Sequence, residues 1–131
     1  MSNIIGVLRA SDELMAGKGA SNEQIEAASK VLGLTFAEDY VLYLQEFGLA
    51  YVNGHELTGI GIIPRNNVVS VTLEKRALPH VNTIPEDWYV LEDTNIDGIV
   101  IWQDSNGFVY MESPGMIKQI CASMAEYILK G

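Results

Sequence analysis

The stretch from residue 21 to residue 61 constrains the fold most, because two amphipathic helices here run directly into a glycine-spaced strand segment. Ser21 and Gln24 have the spacing of a capping box, in which hydroxyl and amide satisfy each other's free backbone N–H groups. Gly33 supplies the left-handed residue that commonly ends a helix. Between them, apolar residues at helical spacing predict one buried helix face: Ile25, Ala28, Val31 and Leu32.

A second helix of the same kind follows. Thr35 and Glu38 repeat the spacing of the capping box, and Gly48 marks the end of the helix. Its apolar stripe is rich in aromatic residues and consists of Tyr40, Tyr43, Leu44 and Phe47. This spacing is what a helix needs on its buried side, so we interpret the stripe as core and not as a ligand pocket.

The order of short motifs in this stretch carries a family resemblance. The motifs are Ile25-Glu26, Leu32-Gly33-Leu34, Glu38-Asp39-Tyr40 with Leu44, Phe47-Gly48, and the run from His55 to Gly61. In order and spacing they resemble the N-terminal half of the SUKH superfamily, which includes bacterial toxin-immunity proteins and relatives of a fungal cell-wall-assembly regulator. One departure is Phe36-Ala37, where the family usually has a proline, a residue that is helpful but dispensable at a helix start.

The resemblance extends over most of the chain, through Val68 to Leu73, Pro79 and a hairpin around Asp97-Gly98. It implies a protein that binds and neutralises a toxin, or a regulatory module. Composition agrees with one domain over residues 1–131, because 48% hydrophobic content in 131 residues is enough for a single core.

The sequence predicts a cytoplasmic protein without disulfides. No apolar run approaches the length of a membrane span, and the first five residues lack the basic start of a signal peptide. The single cysteine, Cys121, lies on an apolar stripe with Ile117, Ile120, Met124 and Ile128, which predicts a buried structural thiol.

The C-terminal half predicts an antiparallel meander. Residues 66–78 have both strand-forming valines and a helix-forming end, and we expect a helix there because the resemblance implies one. Three strands are predicted at Trp88–Glu92, Ile99–Gln103 and Phe108–Glu112, and the middle strand is apolar on both faces. Ser113 and Pro114 are typical of the start of a last helix. The expected fold class is α+β, an antiparallel sheet with N-terminal helices and a C-terminal helix packed on it.

The charged residues are unevenly distributed along the chain, with acids but no bases in one long segment. The net charge is −9, and no lysine or arginine occurs from residue 77 to residue 117. Seven acids occur in that span: Glu86, Asp87, Glu92, Asp93, Asp97, Asp104 and Glu112. Such a negative rim repels nucleic acid and attracts basic protein surfaces, so no nucleic-acid partner is expected. An ordinary solubilising surface is the alternative interpretation of the same charges.

A sequence motif typical of calcium-binding loops lies inside this acidic span. Asp93-Thr94-Asn95-Ile96-Asp97-Gly98, with Asp104 at the twelfth position, places oxygen ligands at alternate positions and glycine at the sixth. The twelfth residue is Asp and not the bidentate Glu, and the flanks are strand-like. Since Asn, Asp and Gly also form hairpin turns, we favour a turn and expect no metal or cofactor.

The sequence contains no pattern of an enzyme. Its two histidines are His55 and His80, and His55-Glu56 begins a zinc-protease spelling whose second histidine is missing. There is no G-x-S-x-G and no phosphate loop ending in Gly-Lys-Ser or Gly-Lys-Thr. We expect a protein that is not an enzyme.

The leading hypothesis is an immunity protein that occludes the active cleft of a cognate toxin, for instance a nuclease. The acids would steer association and exposed aromatics would anchor it. The expected partner-binding residues are Trp88, Glu92, Asp93, Asp97, Trp102, Asp104, Tyr110 and Glu112. The alternatives are an intracellular scaffold or regulatory module and, on the Asp93 loop alone, a small-ligand or calcium sensor. The sequence leaves the oligomeric state open.

Overall fold

The computed structural model of the chain describes residues 3–61, 66–79 and 83–130. In these ranges it has five helices and seven strands. In chain order they are α1 (Ile4–Arg9), β1 (Met15–Ala16), α2 (Asn22–Leu32), α3 (Glu38–Phe47), β2 (Ala50–Val52), β3 (His55–Glu56), α4 (Val68–Arg76), β4 (Tyr89–Asp93), β5 (Val100–Gln103), β6 (Val109–Ser113), β7 (Met116–Cys121) and α5 (Met124–Lys130).

The strands form two antiparallel sheets. A small sheet has the order β1-β2-β3, and a four-stranded meander has the order β4-β5-β6-β7. In the hairpin of β4 and β5, Tyr89 is opposite Gln103 and Asp93 is opposite Val100. Together with the helices, the two sheets confirm the predicted α+β class.

The first predicted cap is confirmed and the second is wrong. Ser21 caps α2 in a capping box with Gln24, and Gly33 ends the helix with φ +69°. Helix α3 begins at Glu38 with Ala37 as its N-cap, and no side chain caps it. The backbone N–H of Ala37 instead donates to the hydroxyl of Tyr89 at 3.1 Å. The start of α3 is therefore fixed by the sheet beneath it and not by Thr35.

Residues 68–76 form a helix, as expected from the resemblance. The side chain of Asn67 accepts hydrogen bonds from the backbone N–H groups of Val69 and Ser70, which satisfies two free donors of the first turn. At the other end, the guanidinium of Arg76 donates to the carbonyl oxygens of Leu32, Glu86 and Trp88. Arg76 thus ties α4 both to α2 and to the segment that leads into β4.

The predicted helix after Ser113 is wrong. Strand β6 continues to Ser113, the chain turns at Pro114-Gly115, and β7 pairs back on β6 with Ser113 opposite Met116. Gly115 has φ +82°, a conformation that a hairpin turn uses and a helix does not. The last helix, α5, starts only at Met124.

The meander has a buried layer on each face. Alternate residues of β4 and β5, such as Leu91 and Ile101, face the main core, which they form with Leu8, Tyr40 and Met124. The residues between them face a second, smaller core made of Val71, Trp88, Val90, Val100 and Trp102. All four residues of β5 are buried, which confirms that the middle strand is covered on both sides.

The glycine-spaced segment of the opening stretch passes very close to the end of α3. A Cβ atom on Gly59 would overlap with the backbone carbonyl of Gly48, and the N–H of Ile60 donates to that same carbonyl at 2.8 Å. The hydroxyl of Tyr43 holds the segment from the other side by donating to the carbonyl of Thr58 at 2.8 Å. Glycine is required here because the backbones approach closely.

Candidate functional site

The three aromatic residues expected to bind a partner form a stack on the second face of the meander. Trp102 is 0% exposed, and its indole N–H donates to Glu112 at 2.9 Å. Trp88 is 8% exposed and stacks on Tyr110 with ring centroids 4.0 Å apart. Only Tyr110 is partly exposed, so it is the outer layer of the stack. Trp102 therefore supports the surface from below and does not itself reach solvent.

Glu92 lies inside the protein. Its carboxylate accepts hydrogen bonds from His55 Nδ1 at 2.8 Å, from the backbone N–H of Glu56 at 2.9 Å, and from the hydroxyl of Tyr127 at 2.5 Å. Burial on its own raises the pKa of Glu92, but these hydrogen bonds outweigh it and lower the pKa below the ordinary value. Glu92 joins β3, β4 and α5 and is a structural residue.

Asp104 is also turned inward. Its carboxylate accepts from the backbone N–H groups of Asn106 and Phe108, both at 3.0 Å, and from the hydroxyl of Tyr110 at 2.9 Å. Burial and the neighbouring Asp104 raise the pKa of Tyr110 to about 12. Asp104 thus organises the turn between β5 and β6 and fixes the tyrosine at the surface of the stack.

The calcium-loop motif of residues 93–104 does not fold into a calcium-binding loop. Asp93 lies at one end of the β4–β5 hairpin, and Asp104 follows Gln103 at the opposite end. Asp93 pairs with Lys75 at 3.1 Å. Within residues 3–61, 66–79 and 83–130, no three His, Cys, Asp or Glu side chains are grouped so that they could hold a metal ion. The geometry agrees with the turn interpretation of residues 93–98.

The remaining acids define an acidic face. Asp87 lies at one end of the meander near Tyr110, and Asp97 lies at the other end in the β4–β5 turn; both are exposed. Between them, Glu112 is half-buried beside Ile117, on the same face of β6 and β7. We call this surface, comprising Asp87, Asp97, Tyr110, Glu112 and Ile117, the acidic face.

Apolar residues that the sequence analysis missed are exposed at the end of α4 and in the β4–β5 and β6–β7 turn regions. Leu78, Ile96 and Met116 are exposed, Ile96 by 62%. A cavity of about 330 Å³ lies here, lined by Leu78, Val100, Glu112 and Pro114 among others. Ile96 is the residue from which the sequence could have indicated an exposed apolar surface here, because an apolar residue in the middle of a polar turn does not contribute to the turn itself.

The catalytic candidates have structural partners or lie outside the described residues. His55 pairs with Glu92, and its Nε2 atom is buried without a hydrogen-bond partner among the described residues. His80 lies outside the described residues. Cys121 is buried, as predicted, and burial raises the pKa of its thiol.

None of the described helices combines the length and the apolar character needed to cross a bilayer. The fold and the acidic face define a small α+β module with a distinctive charged surface. Over residues 1–129 the chain matches the protein family described as SMI1-KNR4 cell-wall, SUKH_5. The chain therefore belongs to this SUKH family, which confirms the resemblance. A search of curated proteins gave no match.

Proposed function

We propose that the protein is an immunity protein that binds a cognate protein toxin in the cytoplasm and neutralises it through the acidic face. Family membership is consistent with toxin immunity and with a regulatory role. The observation that favours toxin binding is the combination, on one face, of carboxylates and a preorganised aromatic stack. A toxin with a basic cleft, such as a nuclease, has the complementary charge.

The charges of the acidic face are suited to steering. Lys75 pairs with Asp93, and among the described residues no ion pair joins Lys75 or Arg76 to Asp87 or Asp97. Exposed charges of this kind act mainly on the rate of association, and less on the lifetime of the complex. We therefore assign steering to Asp87 and Asp97.

The aromatic stack is suited to anchoring. Tyr110 is held by Trp88 on its ring face and by Asp104 at its hydroxyl, so little side-chain entropy is lost when a partner covers it. Aromatic residues fixed in this way are typical centres of binding energy in protein interfaces.

Rescue from toxicity tests the function itself. The C-terminal domain of any polymorphic toxin found to be encoded next to this chain is expressed alone and together with it. The proposal requires restored growth and a complex that copurifies. Growth arrest in the presence of the folded protein, with no complex, would reject toxin immunity. A stable complex with a different protein of the same cell would then favour the regulatory role.

Charge reversal tests the acidic face. We expect Asp87→Lys with Asp97→Lys to slow toxin association about tenfold at low ionic strength and to flatten its salt dependence, measured by stopped-flow or surface plasmon resonance. The matched control is Glu26→Lys, which changes an exposed acid on α2. An unchanged association rate in the double variant would show that the toxin binds elsewhere, even if rescue persists.

A further inference from the structure

A groove between the last strand and the last helix is separate from the acidic face. It has a volume of about 560 Å³ and is lined by β7 residues, by α5 residues and by His55. The lining residues are His55, Lys118, Gln119, Ile120, Cys121, Tyr127 and Lys130. Its wall combines the apolar side chains of Ile120 and Cys121 with the ring of Tyr127, which is a surface that takes an apolar side chain.

Strand β7 presents an open edge along this groove. Among the described residues β7 pairs only with β6, and Met116, Lys118 and Gln119 are exposed. The carbonyl of Ile120 accepts a hydrogen bond from Nζ of Lys130 at 3.2 Å. One backbone acceptor of β7 is thus occupied by a side chain, while no strand of the described residues pairs with the outer edge of β7, which is therefore open to an incoming strand.

The lining of the groove carries positively charged side chains in a protein that is acidic overall. Lys118 and Lys130 are the only lysines or arginines from residue 77 to residue 131 of a chain with net charge −9, and both line it. No Asp or Glu is among its lining residues. Lys130 pairs with Glu126 at 3.4 Å, whereas Lys118 has no ion-pair partner among the described residues. A carboxylate is the complementary group for this edge.

We propose that the β7 edge and this groove bind an extended acidic segment of a partner protein by strand addition. The segment adds a fifth strand to the meander, places an apolar side chain against Ile120 and Tyr127, and brings a carboxylate to Lys118. This goes beyond the proposed function, because the acidic face requires a basic partner surface and the groove requires an acidic one. A second copy of the chain is a poorer occupant, since antiparallel pairing of two β7 strands brings both Lys118 side chains near the two-fold axis.

A synthetic peptide tests the proposal directly. The probe is a capped seven-residue peptide with glutamate and leucine two residues apart, so that both side chains lie on one face of the added strand, and with threonine at the positions between them. The control peptide has lysine at each glutamate position. We expect the glutamate peptide to shift the backbone amide resonances of residues 118–121 and of Tyr127 in NMR spectra of the full chain. Lys118→Glu should weaken this binding about fivefold or more, and Lys30→Glu, which reverses an exposed lysine on α2, should leave it unchanged.

Three results would overturn the proposal. They are no shift of these resonances at millimolar glutamate peptide, equal binding of the lysine peptide, and equal binding by the Lys118→Glu variant. Concentration-dependent dimerisation that broadens the β7 resonances would assign the edge to a second copy instead. Because Lys118 is exposed, we expect the Lys118→Glu variant to fold normally. Its NMR spectrum without peptide checks this.

Discussion

The role of Glu92 in the structure differs from the role that the sequence predicts. In the sequence it is one of seven acids in a segment without bases, and a surface role is the natural interpretation. In the structure it is 5% exposed and accepts hydrogen bonds from His55, Glu56 and Tyr127. The partners are 35 to 37 residues away in sequence, so no local pattern could reveal them.

We expect Glu92→Gln to destabilise the protein by about 2–4 kcal/mol at pH 7, because the amide turns an N–H donor toward groups that are themselves donors. The pKa of Glu92 is lowered from 4.5 in the folded state, so its stabilising effect is complete above pH 4.5 and is lost as the pH falls through the folded-state pKa. The difference between wild type and variant should therefore shrink on acidification below pH 4.5. Urea unfolding between pH 3 and pH 7 measures this.

Glu86→Gln is the matched control, since Glu86 is an exposed acid of the same segment. It should change the free energy of unfolding by less than about 0.5 kcal/mol. A cost for Glu92→Gln that stays constant over the whole pH range would mean that Glu92 contributes through packing and not through its charge.

The helices differ in what fixes their first turns. Asn67 caps α4 through two backbone N–H groups, whereas Thr35 has no such role at α3. We expect Asn67→Ala to cost about 1 kcal/mol and Thr35→Ala to change stability by less than about 0.5 kcal/mol, measured by thermal or urea unfolding. A comparable loss in both variants would restore the predicted capping box at Thr35.

The elements that the sequence predicts correctly are those with a long or sharply bounded pattern. Helix α2 has a cap, an apolar stripe and a terminal glycine, and the strands β4 to β6 are separated by turns rich in Asp, Asn and Gly. Helix α1 has six residues, too few for a periodic pattern to stand out, and the sequence analysis did not predict it. Strand β7 was missed because Ile117, Ile120 and Met124 have helical spacing across the boundary between a strand and a helix.

At the scale of the whole molecule, the meander joins the two cores. Leu91 and Ile101 face the main core, while Val90 and Trp102, their neighbours along the same strands, face the second. If either layer separates from the sheet, the face of β4 and β5 that it covered becomes exposed to water, and the sheet that supports the other layer is weakened. The two cores should therefore unfold together.

We expect urea unfolding to give one midpoint by tryptophan fluorescence and by far-ultraviolet circular dichroism. Both tryptophans lie in the second core, while most helices pack on the main core, so the two signals report on different layers. Coincident curves indicate a single cooperative transition. Two separated midpoints would show that the second core melts independently and would contradict this prediction.

The location of the candidate surface was predictable in outline only. The absence of bases from residue 77 to residue 117 identifies the meander as the acidic part of the molecule. Which acids reach solvent depends on partners contributed by other elements, such as Lys75 for Asp93 and Tyr110 for Asp104. The groove at β7 was not predictable, since β7 itself was expected to be helical.

The contact between α3 and α5 has a consequence for the newly made chain. Asp39 on α3 accepts the backbone N–H of Met124 at 2.8 Å, across 85 residues of sequence, and α1 packs against both helices. At ribosomal speeds of about 5–20 residues per second, α3 waits about 4–17 seconds for its partner. During that interval the sides of α1 and α3 that α5 covers in the finished protein are exposed, and apolar surface of this kind makes a partly synthesised chain prone to aggregation until α5 docks.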